Sequence, residues 1–348
     1  MPQIDASLIP PHSGPLGPTP PRREWSVRRT STIDTRWPEG NRAPSAMTGH
    51  ARDLLTGAVG DTPLVLAEDA FAATVDPERR ILALETTPPR PGAAAVVGSR
   101  PGKQLRTTIA EALPEDLAAG SPLYLLLDDL AGANLVSHWA WSQWHDDWAH
   151  KMHSAVSSEG PNEAMQGMRN VCIGFAEDSP FFTGGPAARE GQNRPVASLD
   201  GNGDPYGWHA LPEQTGPAAR RARRIDLWFD GPQIRVETHF QDSAPAPEGG
   251  RMGVHEYLVT ATIDRASLLL TSIAADPRIL PLGYCPAATL NIGRVVGTPV
   301  RELRQRVLAE FPRTEGCTHL NDVMRSLAEV PLLAARLEAA MEAAGVRA

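Results

Sequence analysis

Residues 257–277 read YLVTATIDRASLLLTSIAADP, and residues 70–88 read AFAATVDPERRILALETTP. Each alternates apolar and polar residues as far as an Ile-Asp or Val-Asp step, turns, and alternates again. Period-two patterning broken by a turn predicts a strand–turn–strand unit. The likeness continues downstream. Residues 96–120, VVGSRPGKQLRTTIAEALPEDLAAG, resemble residues 295–316, VVGTPVRELRQRVLAEFPRTEG. The two matches come in the same order, which predicts a degenerate duplication. The plainer alternative is that both are generic hairpin and amphipathic-helix patterns.

Working outward, VRRTSTIDTRW (27–37), TGHARDLLTG (48–57), RRIDLWFDG (223–231) and QIRVETHFQD (233–242) also read as strands. The last two form a hairpin around Gly231-Pro232. Residues 121–156 have the composition of one long helix or two abutting ones, and the last 65 or so residues read as a series of helices. The fold class expected is α+β: two pseudo-repeated halves, each an antiparallel sheet with helices on one face, together a duplicated pseudo-dimer. Residues 1–24 are proline-rich and read as a disordered or draped arm. Residues 25–156 make the first half, 157–220 a long loop excursion, and 221–348 the second half.

A chain of 348 residues with net charge −8 offers no electrostatic case for nucleic acid. Its apolar runs are too short to span a bilayer. Three cysteines, a low and odd number, argue against a disulfide framework and for a reducing, cytoplasmic setting. The expected partner is a small-molecule substrate, with room left for a homo-oligomer. The chain has no G-x-G-x-x-G opening a βαβ unit, no P-loop, no H-E-x-x-H and no G-x-S-x-G elbow, which argues against nucleotide chemistry and an α/β-hydrolase.

The copies differ where chemistry could reside. The second carries His255, Cys285, Cys317 and His319, each near the end of an element, and the first has no cysteine. Thiolate and imidazole are the usual zinc ligands, so these four are the expected metal set. The ion expected is zinc, with iron or an iron–sulfur cluster as alternatives. Cys285 and Cys317 also fit a plain reading as small core residues. Glu256, beside His255, is the candidate general base, and Asp322, one turn past His319, could orient that histidine.

Two other segments stand out. SHWAWSQWHDDWAHKMHSA (137–155) would place Trp141, Trp144, His145 and Trp148 on one helical face, with His138 a turn earlier. This reads either as packing or as an aromatic pocket wall, with His145 as its polar catalytic group. Cys172, in NVCIGFAED, is either inert or a pocket thiol. RRARR (220–224) reads as a solvated strand edge, with an anion or carrier-phosphate contact as the alternative.

The order strand, turn, strand, Cys285 at a helix start, then Gly316-Cys317-x-His319 resembles the NifU-type iron–sulfur scaffold over residues 250–330 (a NifU/SufE-like fold). In that resemblance His255 stands where the scaffold has an aspartate, and Cys285 and Cys317 stand for its second and third cysteines. Gly253 stands where the first cysteine belongs, which favours a mononuclear ion over a cluster. The RRT-x-x-(I/L)D-x-x-W opening, the VHEY strand, the CP turn and the GCTHLND ending resemble a bacterial domain-of-unknown-function family over most of the chain. That resemblance implies no activity.

The function expected is a metal-dependent enzyme acting by hydrolysis, hydration or isomerisation on a small hydrophobic substrate. One alternative is a non-catalytic scaffold that handles iron–sulfur clusters, sulfur or metal. The other is a metal-free protein that binds a small molecule or uses a Cys317 thiol activated by His319; on a helix those two side chains would point apart.

Overall fold

The two most arginine-rich strands of the chain lie side by side at the centre of its sheet. These are β1 (Ser26–Arg36) and β5 (Ala218–Asp230), paired antiparallel with Arg28 opposite Asp226 and Asp34 opposite Arg220. A buried arginine is tolerated only when a carboxylate meets it with matching geometry. Here each does: Arg28 binds Asp226 through Nε at 2.6 Å, and Arg220 binds Asp34 through Nε at 2.7 Å. RRARR therefore belongs to a central strand, and all four of its arginines are buried in ion pairs. The reading of it as a solvated edge is corrected for that reason: the paired carboxylates lie far off in sequence.

This computed structural model describes residues 6–100, 102–144, 156–157, 160–161, 166–183, 193–201 and 203–346. From β1 the sheet extends through β2 (Ser45–Thr56), β3 (Leu64–Val75) and β4 (Ile81–Thr87). From β5 it extends the other way through β6 (Gln233–Pro245), β7 (Arg251–Asp264) and β8 (Leu270–Ile279). The spatial order is β8-β7-β6-β5-β1-β2-β3-β4, all antiparallel, with a short strand, Arg194–Val196, added alongside β7. The fold is α+β with one large antiparallel sheet.

Helices cover one face. They are α1 (Lys103–Ala112), α2 (Pro114–Ala119), α3 (Pro122–Ser137), α4 (Leu303–Glu310), α5 (Thr318–Ser326) and α6 (Val330–Ala343). Two apolar cores lie beneath them. One joins Met47, Phe71, Ile81, Leu105, Ile109 and Leu127; the other joins Phe240, Tyr257, Ile263, Leu303, Leu320 and Leu337. The opposite face is crossed by the N-terminal segment, where the N–H of Leu16 donates to Glu256 and Arg22 pairs with Asp204. Residues 207–209 also cross it, with His209 between the hydroxyls of Thr30 and Thr32. Among the described residues, no helix is long and apolar enough to cross a membrane.

Beyond α3 the chain tightens into a 3-10 helix, His138–Gln143. A helical face built from Trp141, Trp144, His145 and Trp148 needs α geometry through this stretch, and the α-helix ends at Ser137. Trp148 and His145 lie outside the described residues.

Candidate metal centre

Three neighbouring strands place a row of polar side chains on the helix-covered face of the second half. Arg221 on β5 lies opposite Asp242 on β6, and Asp242 lies opposite His255 on β7. A bulge between Gly253 and His255 resets the register at this point. Glycine suits position 253 because any Cβ there would meet Val196 at 2.7 Å. The fourth member comes from α5. Gly316 runs extended and presses so close to Phe311 that a Cβ would lie 2.7 Å from its side chain. Cys317 then caps the helix in an extended conformation, and His319 stands in the first turn.

The His319 ring stacks on that of His255, with centroids 3.6 Å apart and planes at 21°. His255 Nδ1 lies 3.2 Å from Asp242 Oδ2, and His319 Nε2 lies 3.7 Å from the same oxygen. One ligand atom from each of the three falls within 4.8 Å of the others, the spacing of a metal-binding group. His319 is only 9 % exposed, yet its Nε2 has no hydrogen-bond partner. A buried polar atom left unpaired is costly and needs a reason.

Electrostatics keep both imidazoles neutral. Burial lowers the pKa of His255 despite its bond to Asp242, and burial together with the neighbouring His255 holds His319 well below its usual value. Burial acting alone would raise the Asp242 carboxyl. Arg221, which grips it through Nε at 2.8 Å and Nη2 at 3.0 Å, and the bond from His255 hold it well below the carboxylate range instead. The group thus offers two neutral imidazoles and one carboxylate, the protonation states that bind a cation.

Of the four expected ligands, His255 and His319 join Asp242, and Cys285 and Cys317 do not belong to that group. The hydroxyl of buried Tyr257 is driven well above its usual pKa by burial and then by the nearby thiols, Cys317 first. His319 Nδ1 lies 3.9 Å from Cys317 Sγ. Cys317 and His319 converge because Cys317 precedes the helix and is not part of it.

The remaining candidates lie elsewhere. Glu256, next to His255 in a strand, faces the other side of the sheet. There it accepts hydrogen bonds from His239 at 2.9 Å, Gln241 at 3.0 Å and the Leu16 N–H. Asp322 binds Arg221, Arg106 and Arg325 and so reaches the site only through Arg221. Trp141 packs in a small cluster with Trp37, Ala140, Ala219 and Ala244, while the indole N–H of Trp144 donates to the Pro245 carbonyl. His138 lies against Trp37. From this segment it is Trp139 that lines a narrow recess with Ile33, Ala133, Val136 and Val254, which reaches Arg221 and Asp242 at its polar end.

Asp242 and Tyr257 were not singled out from sequence, and Arg221 only within RRARR, as part of a strand edge. Asp242 did leave a signal: it follows Phe240 by two residues and so falls on the inward face of its strand. Arg221 left none, because its partners are remote in sequence.

Residues 219–333 match the model of a family described as "Protein of unknown function (DUF2889)". The matched stretch contains Arg221, Asp242, His255, Tyr257, Cys285, Cys317 and His319, and Cys172 lies before it. This match supports likeness to a domain-of-unknown-function family over residues 219–333, and not over most of the chain. No curated protein and no solved structure matches the chain.

Proposed function

We propose that the chain is a metal-dependent enzyme whose ion is held by Asp242, His255 and His319, with Cys317 at the border of the site. The observation that carries this reading is the unpartnered Nε2 of buried His319, facing an arginine-held carboxylate and a second neutral imidazole. An ion bound there would polarise a substrate oxygen or activate water, as hydrolysis, hydration and isomerisation require. The recess at Arg221 and Asp242 has about 10 Å³ of free volume, room for a single water molecule. Arg221 orients Asp242, and Asp322 and Gly132 hold Arg221 in place: a Cβ on Gly132 would collide with its guanidinium. A scaffold that hands on a labile cluster calls for an exposed site, and all three candidate ligands are buried.

Duplication is part of the proposal. Arg28-Arg29 and Ile33-Asp34 of β1 correspond to Arg220-Arg221 and Ile225-Asp226 of β5, and their ion pairs are reciprocal. His50–Glu68 corresponds to His239–Glu256, and Arg29–Asp53 to Arg221–Asp242. The helix caps Ser121 and Cys317 correspond as well. On this alignment Ala67 and Leu123 stand where the second half has His255 and His319. The first half keeps the frame and has apolar side chains at both imidazole positions.

The test is metal analysis of wild-type protein beside Asp242→Asn and His319→Gln. About one ion per chain, lost in both variants, supports the reading. An equal metal content in all three proteins defeats it. A second reading is favoured by the 3.9 Å approach of Cys317 Sγ to His319 Nδ1: a thiol nucleophile with a histidine base. It requires activity in metal-free protein that vanishes in Cys317→Ser.

A further inference from the structure

Strand β7 is irregular on both sides where it carries His255. Against β6 its register shifts between Gly253 and His255, and against β8 it shifts again between Glu256 and Tyr257. The β8 residue opposite Tyr257 is Pro277, which has no N–H to give to a ladder. His255 and Glu256 therefore sit where backbone pairing fixes the strand least. Other bonds gather at this place. Buried Glu256 is held by His239, Gln241 and the N–H of Leu16. The neighbouring contacts of the N-terminal segment fall on the same irregular stretch of β8. The N–H of Ser13 donates to the Pro277 carbonyl at 3.0 Å and that of Gly14 to the Arg278 carbonyl at 3.1 Å. The Ser13 hydroxyl donates to Asp276, and the Arg278 guanidinium donates to the Pro15 carbonyl at 3.3 Å. Pro10, Pro11, Pro15 and Pro18 deny this segment a regular ladder of its own, so it lies as a strap pinned at a few points.

We propose that Glu256 is a positioning residue for His255, and that closure of the strap on Glu256 is coupled to ion binding; this rests on the metal centre proposed at Asp242, His255 and His319. Successive residues of a strand point to opposite faces, so Glu256 does not touch the ion. It acts by fixing the backbone from which the His255 imidazole rises, at a point that the ladder leaves loose. The first half supplies the contrast. There Ala67 lies opposite Asp53 as His255 lies opposite Asp242, across the same kind of register shift. The matching pair His50–Glu68 is open, with 31 % and 50 % of the side chains exposed, against 8 % and 1 % for His239–Glu256. The closed arrangement is found in the half that has an imidazole to place. Coupling of this kind is reciprocal: if the closed strap tightens ion binding, the ion must favour the closed strap by the same factor.

The experiment is hydrogen–deuterium exchange of the full-length protein, metal-free and with Zn(II), beside zinc titrations of wild type, Glu256→Gln and Leu16→Pro. Leu16→Pro removes the N–H that the strap gives to Glu256, and Leu16 stands outside both apolar cores. Zinc should slow exchange at Ser13, Gly14 and Leu16 by roughly fivefold or more, with β2 unchanged, and both variants should bind zinc more weakly by a similar factor. In His319→Gln, zinc should leave the strap as it is. Zinc that binds wild type without slowing the strap overturns the coupling and leaves the metal centre standing. Variants with wild-type affinity do the same, as does slowing that persists in His319→Gln. Wild-type protein that binds no zinc defeats the metal centre, and the coupling with it. Should Glu256→Gln unfold, the wild-type exchange and Leu16→Pro decide.

Discussion

Gly132→Ala is the perturbation whose size can be worked most directly from the structure. Gly132 lies within α3, where alanine ordinarily stabilises a helix by roughly 1 kcal/mol over glycine. Here the new methyl would sit 3.0 Å from Cζ of Arg221, nearer still to its Nη1, and 2.6 Å from Oδ2 of Asp322. Both atoms belong to buried, tethered groups: Arg221 holds Asp242 through two bonds and Asp322 through a third at 3.2 Å. To reach ordinary contact Nη1, 2.1 Å from the new methyl, must retreat by about 1.3 Å, in a core that yields little. Such a shift costs one charge-assisted hydrogen bond, roughly 1.5–3 kcal/mol, and exceeds the helix-propensity gain. The net expectation is a loss of about 0.5–2 kcal/mol, a few degrees at most in a chain of this size. Asp242 loses its anchor at the same time, so metal affinity should fall. The assay is urea unfolding paired with metal titration, with Gly293→Ala as control, because nothing lies within 4 Å of a Cβ at that exposed position. A Gly132→Ala protein as stable as wild type, with unchanged affinity, would refute the argument that Gly132 and Arg221 position the carboxylate.

Arg221→Met should destabilise the protein by about 3–5 kcal/mol, because it leaves Asp242 buried without its cation. Adding Asp242→Leu should recover much of that loss in urea melts, and no recovery would mean that the pair contributes something other than charge compensation. The metal-free protein should also weaken on acidification. His255 and His319 have folded pKa values below the unfolded value, so their contribution is complete above about pH 6.5 and declines as pH falls below it. Asp242 and Asp128 lie below the unfolded carboxylate value, so theirs declines further below about pH 4. Burial raises Asp129 to about 6 and so acts with the opposite sign, and buried His209 acts with the same sign, so wild type is compared with His319→Gln. An equal loss of urea midpoint in both between pH 7.5 and 5.5 would contradict a contribution from the buried pair.

The sequence by itself determined the strands. Alternation through 257–277 and 70–88 is a local property, and the hairpins they announce are present as β7–β8 and β3–β4. It also announced helical segments in the C-terminal stretch, because their apolar spacing is local too. Of the candidate site, Cys172, Cys285 and Cys317 could be picked out because the chain has only three cysteines, and His255 and His319 because imidazole is a usual metal ligand; His255 lies within β7 and not at its end. Tertiary structure alone decided how these residues divide. Asp242 is an ordinary strand residue until β6 lies between β5 and β7, and Arg221 looks solvated until β1 and β6 flank its strand. A backbone detail, Cys317 capping α5 in an extended conformation, turned two side chains expected to diverge into neighbours. Glu256 shows the converse: it adjoins His255 in sequence, and the pleat sends it to the opposite face. Periodicity along one chain reports which face a residue occupies. Which remote residues meet it there depends on strand order and register, set by pairing and by reciprocal ion pairs that join distant parts of the chain.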